Sequence, residues 1–361
     1  MIDDLTIDKS VGNGGLMVPE VMIILGSESD LEIAKKAVGI LEGFQISYTL
    51  KVASAHRTHD LVRNLVVEGT KRGVKVFIGM AGLAAHLPGV MASYTHRPVI
   101  GVPVDVELSG IDSLLASIQT PYPASVATVG INRGDNAGIL AAEILSVGDE
   151  EIKSGLHDLR KSFHTKVNGG EKEVLSQIDG KHFKDFQVDE PIVFSNVDET
   201  NFKEEGCNDD LIKTPDVTVI LDGYSNIKIG ENLIEILNRL GVSYDFKVIS
   251  SIANPTEFER YMETVKDVKL FVGVGGSSAH VTGSIVALSE KPVIGVPCSN
   301  QLNGLDALVS MVNMPPGVPV GVVGMDSGEN GALLVGKILG LLDKRIEINL
   351  KGEIADGRLF K

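Results

Sequence analysis

The sequence RPVIGVPVDVELSGIDSL, residues 97–114, occurs again as KPVIGVPCSNQLNGLDAL at residues 291–308, an offset of 194 positions. Neither helical nor strand periodicity produces matches over such a distance, and the repeats of solenoid proteins have much shorter periods. Three further pairs of segments match in the same order: VMIILGSESD (21–30) with VTVILDGYSN (217–226), FIGMAGLAAHLPG (77–89) with FVGVGGSSAHVTG (271–283), and NRGDNAGILAAEIL (132–145) with DSGENGALLVGKIL (326–339). The chain is therefore a tandem duplication.

The duplication divides the 361 residues into two domains and a connecting segment. Between the copies the composition shifts to Lys, Glu, Asp, Ser and Asn, which predicts a tether with marginal structure. Its first part, from Glu150 to about Val167, is predicted to be a helix that docks on the domain. We expect the following division: an N-terminal tail at 1–17, a first domain at 18–147, a linker at 148–215, a second domain at 216–345 and a C-terminal tail at 346–361.

Short apolar runs alternate with helix-like stretches within each copy. The first copy has apolar runs at 21–25, 74–78, 99–102 and 126–129, a strand-like run at 47–52, and helix-like stretches at 31–41 and 60–71. Apolar runs without polar alternation are typical of strands covered on both faces. Alternating β and α units indicate right-handed crossovers. Each copy is therefore predicted to be an α/β fold, a three-layer αβα sandwich with a parallel sheet.

The overall composition restricts the partners. A formal charge of −15 and a pI near 5.0 argue against nucleic acid or an anionic membrane as a general partner, but leave room for a small anionic substrate in a local site. The two cysteines, Cys207 and Cys298, lie far apart, which fits a reducing compartment. Because neither a signal peptide nor an apolar run of ~18 residues is found, we expect a cytoplasmic protein.

Three loops follow the first three predicted strands. GSESD (26–30) follows the first strand, SAHRT (54–58) the second, and GMAGLAAHLPG (79–89) the third. Ligands of parallel α/β sheets bind at the carboxyl ends of the strands, where these loops emerge. We therefore expect the three loops to form one site.

Two of these loops offer groups that suit a phosphorylated ligand. Ser27 and Ser29 bring hydroxyl and backbone N–H groups to a helix start, and Asp30 can accept hydrogen bonds from ribose hydroxyls. The alternative is that Ser29 or Asp30 only caps the helix. Arg57 can hold a phosphate through two parallel hydrogen bonds, and its alternative is an ordinary surface salt bridge.

Histidine is the side chain that titrates near neutral pH, which makes His56 the candidate general acid–base of these loops. His86 lies among small apolar residues and close before a proline, a setting more typical of a structural histidine that donates to a backbone carbonyl. The small residues around Gly82 would let a planar ring lie against the backbone. The chain has no HxxxH, HExxH or GxxxxGKS/T motif, so we predict no metal site and no ATP chemistry.

Five motifs in register carry a family resemblance. The set GSxSD, SAHRT, AGxAAHLPG, VIGVP and LxGxDSL resembles the catalytic subunit of phosphoribosylaminoimidazole carboxylase. That family includes the N5-carboxyaminoimidazole ribonucleotide mutase of purine biosynthesis. The resemblance is strong over residues 18–147 and weaker over 215–341, so the chain looks like a tandem member with a degenerate second copy. It implies a flavodoxin-like fold for each copy.

The resemblance also implies roles for individual residues. The 5′-phosphate would be held by Ser27, Ser29 and Arg57, and the ribose by Asp30. His56 would transfer the proton, and no metal or organic cofactor would be needed. The substrate-binding residues around the ring and carboxylate would be Ser54, Ala55, Ala81, Gly82, His86 and Leu87. Family members of single-domain size form octamers whose sites borrow residues from neighbours, so we expect a homotetramer of two-domain chains.

The reaction implied is transfer of a carboxylate to C4 of aminoimidazole ribonucleotide. In the mutase form the N5-carbamate releases CO2 in a closed pocket and C4 captures it. In the alternative, a direct carboxylase takes CO2 and aminoimidazole ribonucleotide. An alternative of another class is a non-catalytic nucleotide-binding or regulatory module on the same fold.

The chain departs from the family pattern at several positions. Met80 and Leu83 replace glycines of the third loop, and His59 stands where proline is usual. The second copy has Ile252 and Ala253 where the first has His56 and Arg57. We therefore expect only the first copy to be catalytic and the second to serve assembly.

Overall fold

A computed structural model describes residues 18–176 and 214–359. The elements of the first half are β1 (Val21–Leu25), α1 (Leu31–Gly43), β2 (Tyr48–Val52), α2 (His59–Arg72), β3 (Val76–Gly82), α3 (Leu87–Tyr94), β4 (Val99–Val104), α4 (Ile111–Ile118), β5 (Ala127–Thr128), α5 (Gly134–Ser146) and α6 (Glu150–Ser176). Those of the second half are β6 (Val217–Leu221), α7 (Ile227–Leu240), β7 (Tyr244–Val248), α8 (Pro255–Thr264), β8 (Leu270–Gly275), α9 (His280–Leu288), β9 (Val293–Pro297), α10 (Leu305–Val312), β10 (Gly321–Val322), α11 (Gly328–Leu339) and α12 (Lys344–Leu359).

The strands form one sheet in the order β2-β1-β3-β4-β5-β10-β9-β8-β6-β7. Within the first half all neighbouring strands are parallel, and their order 2-1-3-4-5 is that of flavodoxin-like doubly wound sheets. The second half has the equivalent order, again with parallel neighbours. The predicted α/β fold with flavodoxin-like halves is confirmed.

The two half-sheets join at their short last strands. β5 pairs with β10 in the antiparallel direction, and Thr128 lies opposite Val322. These two positions are counterparts under the 194-residue offset, so an approximate two-fold axis relates the halves at this point. The sequence predicts two sandwiches, and the structure adds that they share a single continuous sheet.

Both faces of the sheet are buried, as the unbroken apolar runs predict. Side chains alternate across a strand. Val21, Ile23 and Leu25 of β1 therefore pack in a core cluster with α1 and α5, whereas Met22 and Ile24 pack in the cluster on the opposite face. Among the described residues no helix is long and apolar enough to cross a membrane.

The last helix of each half extends or corrects the predictions. The predicted helix from Glu150 is present as α6, and Ile152 and Leu156 anchor it in the core. The predicted tail at 346–361 is instead mostly helix α12, because Ile346, Leu350 and Ile354 recur every four residues and bury one apolar stripe. The predicted tail at 1–17 and linker residues 177–213 lie outside the described residues.

Candidate active site

The three loops predicted to form one site do meet at the carboxyl edge of the first half-sheet. Gly26 donates its backbone N–H to the Met80 carbonyl at 2.8 Å, which ties the first loop to the end of β3. Ala53 donates to the Leu25 carbonyl at 2.9 Å, which ties the second loop to β1. The site therefore rests on the central strands of the half-sheet.

Hydrogen bonds within the first loop fix its shape. Ser27 has an extended backbone, and its hydroxyl oxygen accepts the Ser29 N–H at 3.3 Å, so Ser27 is the capping residue. The Ser29 hydroxyl donates to Asp30 Oδ1 at 3.1 Å. Asp30 is 2% exposed, and burial raises the pKa of its carboxyl while hydrogen bonds from Ser29 and Ser27 oppose that rise. Asp30 itself makes no capping hydrogen bond.

The second loop holds Arg57 in place through its neighbours. Ser54 Oγ accepts the Arg57 backbone N–H at 3.2 Å and lies 3.5 Å from Nε, and Arg57 Nη2 lies 3.5 Å from the Gly26 carbonyl oxygen. Within the described part of the chain no carboxylate forms an ion pair with Arg57. The structure therefore does not show the surface salt bridge that was the alternative for this residue.

A pair of imidazoles joins the second loop to the third. His56 Nε2 lies 2.9 Å from His86 Nδ1, and the two rings meet edge to face with centroids 4.9 Å apart. A hydrogen bond of this kind needs one donor and one acceptor, so the two facing nitrogens share a single proton. The sequence pattern favours a backbone partner for His86 and misses this contact, because a pattern of residues carries no distance between loops.

Small and apolar residues form the floor of the site. Ala55, Ala81 and Leu87 are buried, as a pocket for a planar ring requires. A Cβ at Gly82 would overlap Val106 Cγ2 and lie 3.2 Å from the Val104 carbonyl oxygen, so a larger residue there would require Val106 to move. Ala55, Ala81 and Leu87 belong to one core cluster beneath this edge of the sheet.

The residues that depart from the family pattern take up positions compatible with the site. Met80 is fully buried in the main core, away from the surface. Leu83 has φ +55° and is exposed, so the loop keeps a left-handed conformation without glycine. His59 begins α2, and its Nε2 lies 3.1 Å from the Tyr94 hydroxyl.

The site is open in a single chain. His56, Arg57 and His86 are all exposed. β4 neighbours β3, and the segment that follows β4 exposes Val106, Leu108 (74% exposed) and Ile111 at the same edge of the sheet. A cavity of about 550 Å³ lies elsewhere, between α6, α8 and α9.

The corresponding edge of the second half is filled by its own side chains. Asp222 takes the place of Gly26, and its carboxylate accepts hydrogen bonds from Asn226 Nδ2 at 2.6 Å and from the Gly276 N–H at 3.1 Å. Asn300 Nδ2 donates to Asn226 Oδ1 at 3.2 Å. Ile252, the counterpart of His56, is 63% exposed. No imidazole pair is found among these described residues, since His280 Nδ1 bonds Ser278 Oγ at 2.6 Å instead.

Fold and site together define a class of protein, a duplicated flavodoxin-like α/β protein whose first half brings two imidazoles, two serines and an arginine to one sheet edge. Within that class, the AIR carboxylase family matches residues 20–166 and again residues 216–356. The chain therefore belongs to the AIR carboxylase family, and the resemblance found in its motifs is confirmed.

Individual relatives share either the whole duplicated chain or one half of it. A Methanothermobacter thermautotrophicus protein named probable N5-carboxyaminoimidazole ribonucleotide mutase is 51% identical over 335 residues, 93% of this chain and 97% of that protein. The N5-carboxyaminoimidazole ribonucleotide mutase of Methanocaldococcus jannaschii is 53% identical over 154 residues, 43% of this chain and 96% of that protein. The solved structure of Treponema denticola PurE is 29% identical, covers 42% of this chain and 96% of that one, and gives a TM-score of 0.39.

Proposed function

We propose that this chain is a purine-biosynthesis enzyme that rearranges N5-carboxyaminoimidazole ribonucleotide to 4-carboxy-5-aminoimidazole ribonucleotide. The observation that carries the proposal is the 2.9 Å contact between His56 and His86 at the mouth of the serine and arginine loops. The names of relatives that align over nearly the whole chain support the same reaction.

His56 moves one proton in each half of the reaction. It protonates N5 as the N5–carboxylate bond breaks, which releases CO2 and leaves aminoimidazole ribonucleotide. C4 then attacks the retained CO2, and His56 removes the C4 proton, which restores the protonated imidazole. One group serves both steps because the proton given to N5 is replaced by the proton taken from C4. His86 Nδ1 accepts or donates the shared proton and so fixes the orientation of the His56 ring.

The remaining site residues bind and orient the ribonucleotide. We assign the phosphate to Ser27, Ser29 and Arg57, whose hydrogen bonds already hold them in one cluster. The buried Asp30 carboxylate accepts from the ribose hydroxyls. The base lies against the floor formed by Ser54, Ala55, Ala81, Gly82 and Leu87. We expect no metal or organic cofactor, since an imidazole alone supplies the proton transfers.

Direct carboxylation of aminoimidazole ribonucleotide is the competing reaction, since proton transfer at His56 suits both. The names of the relatives favour the rearrangement. The two are separated by supplying each purified ribonucleotide, with and without bicarbonate, while imidazole absorbance is followed. Turnover of the N5-carbamate without added bicarbonate is expected. Turnover only of aminoimidazole ribonucleotide with bicarbonate would overturn the proposal.

The second half is proposed to be non-catalytic and closed to nucleotide. This rests on the hydrogen-bonded Asp222, Asn226 and Asn300 side chains, which occupy the place of the phosphate and ribose groups. Titration with a tight substrate analogue is expected to give one site per chain. Two equivalent sites per chain would contradict this assignment.

Assembly is proposed to be a cytoplasmic homotetramer that closes the open site. A decarboxylated intermediate must be kept from water and its CO2 retained, whereas one chain leaves His56 exposed. Exposed Leu108 and Ile111 in the first half, and their counterparts Leu302 and Leu305, offer apolar contact surface. Light scattering is expected to give the mass of four chains, and a stable monomer of about 38.4 kDa would exclude it.

A further inference from the structure

Each half sends its last helix across the junction onto the other half. α6 of the first half reaches α9, where Arg160 Nη1 donates to the Val286 carbonyl at 3.3 Å. α12 of the second half reaches the loop after α4, where the Tyr122 hydroxyl bonds Glu353. Because α6 and α12 are counterparts under the 194-residue offset, the two crossings are repeats of one contact.

At one crossing the helix carries the glycine and the loop carries the large ring, whereas at the other crossing the helix carries the ring and the loop carries the glycine. At the first, Gly357 of α12 faces the Tyr122 ring, and a Cβ there would lie 2.5 Å from Tyr122 Cε1 and 3.3 Å from Pro123 Cγ. At the second, the glycine is in the loop: Gly317, the counterpart of Pro123, faces the ring of Phe163. Phe163 is itself the counterpart of Gly357. Each large ring therefore meets a glycine from the unlike half.

Near the two-fold axis, too, a glycine of one half faces a large side chain of the other half, and the charged side chains at the two crossings are exchanged in a similar way. Gly148 and Leu342 are counterparts that face each other, and a Cβ at Gly148 would overlap Leu342 Cδ2. At one crossing the carboxylate lies on the helix, with His96 Nε2 2.9 Å from Glu347 Oε1. At the other the histidine lies on the helix, with His157 Nδ1 2.8 Å from Glu290, the counterpart of His96.

We propose that these crossing surfaces have become complementary, so that each half accepts the unlike half and excludes a second copy of its own kind. A like pair of first halves would set Tyr122 and Pro123 against Phe163, where the rings overlap. A like pair of second halves would set Gly317 opposite Gly357 and leave a void. Since buried overlaps and voids both destabilise a contact, neither like pair matches the native one.

The first experiment compares two glycines of α12 in the full chain by thermal denaturation. A Cβ at Gly352 would meet no heavy atom within 4 Å beyond its own helix, whereas a Cβ at Gly357 would meet Tyr122. Alanine favours a helix over glycine, so Gly352→Ala is expected to raise the denaturation midpoint or leave it unchanged. Gly357→Ala is expected to lower it by several degrees. If both substitutions raise the midpoint equally, the proposal is overturned.

The second experiment gives the second half the first half's residue. Gly357→Phe creates the like pair against Tyr122 and is expected to lower the midpoint further than Gly357→Ala. Adding Tyr122→Ala removes the opposing ring and is expected to recover part of the loss. Tyr122→Phe is the matched control, because it loses the hydroxyl bond to Glu353 but keeps the ring.

The control therefore distinguishes a clash of rings from general damage to the loop. With Tyr122→Phe no recovery is expected. If the double variant lowers the midpoint by the sum of the losses caused by Gly357→Phe and Tyr122→Ala alone, the two rings do not clash. The surfaces then do not distinguish like from unlike halves by side-chain size, and the proposal is wrong. If Gly357→Phe does not yield folded protein, Gly357→Ala takes its place. Adding Tyr122→Ala must then recover part of the midpoint lost in Gly357→Ala, or the proposal is overturned.

Discussion

At the scale of single residues, the first half carries an imidazole pair that has no counterpart among the described residues of the second half. His56 and His86 share a proton across 2.9 Å, and the position that corresponds to His56 in the second half is an exposed isoleucine. Both histidines are visible in the sequence. Their contact is not, because it depends on how two loops fold toward each other at the sheet edge.

Replacing His56 tests the proton transfer. His56→Asn keeps size and polarity but cannot exchange a proton at neutral pH, so turnover is expected to fall by about 10²–10⁴-fold or more, with the fold and most of the ribonucleotide affinity retained. Steady-state kinetics and analogue titration check this. His59→Asn, three residues on and outside the site, is the control and is expected to leave turnover unchanged. Activity of His56→Asn within a few-fold of the wild type would remove His56 from the mechanism.

Replacing Arg57 tests the phosphate contact. A charge-assisted bidentate contact contributes roughly 1.5–3 kcal/mol, so Arg57→Ala is expected to weaken ribonucleotide binding by one to two decades. Affinity for the dephosphorylated nucleoside should not change. Arg63→Ala, which loses only the exposed ion pair with Asp60, serves as the control. An equal loss of nucleoside affinity in Arg57→Ala would make Arg57 a structural residue.

At the scale of elements, the strands and helices within each half follow from the sequence, and so does α6, whereas α12 and the pairing that joins the two half-sheets do not. β1 is predicted at the residues where it lies, because its apolar run has no polar interruption. α12 buries one apolar residue per turn, and its other positions are mostly charged or polar, so its sequence pattern is hard to separate from that of a tail. The apolar run at 126–129 predicts β5, but nothing in the sequence indicates that β5 pairs with β10 in the antiparallel direction.

α11 contains a buried lysine, and burying its charged form lowers the stability of the fold. Lys337 of α11 is 1% exposed and donates to the Ser125 carbonyl of the first half at 3.1 Å. Burial, helped by the charge of Arg358, lowers the pKa of Lys337 to about 7. Between this value and the unfolded value of about 10.4 the unfolded chain holds a proton that the folded chain has released, so stability rises with pH across that window.

Lys337→Met is therefore expected to stabilise the protein at pH 7 and below, by on the order of 2 kcal/mol after loss of the hydrogen bond to Ser125. The gain should shrink as pH rises from 7 to 10. Denaturant titrations over this range measure it. Lys71→Met, at an exposed position of α2, is the control and should leave the pH dependence unchanged. A gain that is independent of pH would show that Lys337 is not neutralised by folding.

At the scale of the whole molecule, two domains in sequence share one core in structure. A single core cluster includes Val21 and Ala141 of the first half and Leu233 and Leu334 of the second. The duplication is evident from the sequence because matching motifs recur in the same order at offsets of 194 or 196 residues. The fusion of the two sheets is not evident from the sequence, because an antiparallel pairing of two-residue strands leaves no sequence pattern.

This continuity gives a calorimetric expectation. Proteins with independent domains unfold in separate transitions, but here neither half can unfold without exposing the shared core. We expect one transition, with coincident curves by calorimetry and far-ultraviolet circular dichroism. Two resolved transitions, one for each half, would show that the junction contributes little to stability.

The antiparallel pairing of β5 with β10 also determines which loops of the second half could cover the candidate active site. Because strand direction reverses there, the loops that follow β6, β7 and β8 emerge from the opposite edge of the sheet to those that follow β1, β2 and β3. β1 and β6 are seven strand positions apart, a span of about 34 Å at ~4.8 Å per strand. The loops that follow β6, β7 and β8 therefore cannot cover the His56 site of their own chain in cis. These loops can contribute only in trans, so under the proposed assembly catalysis depends on protein concentration, and dilution below the association range is expected to abolish the activity of a chemically intact enzyme.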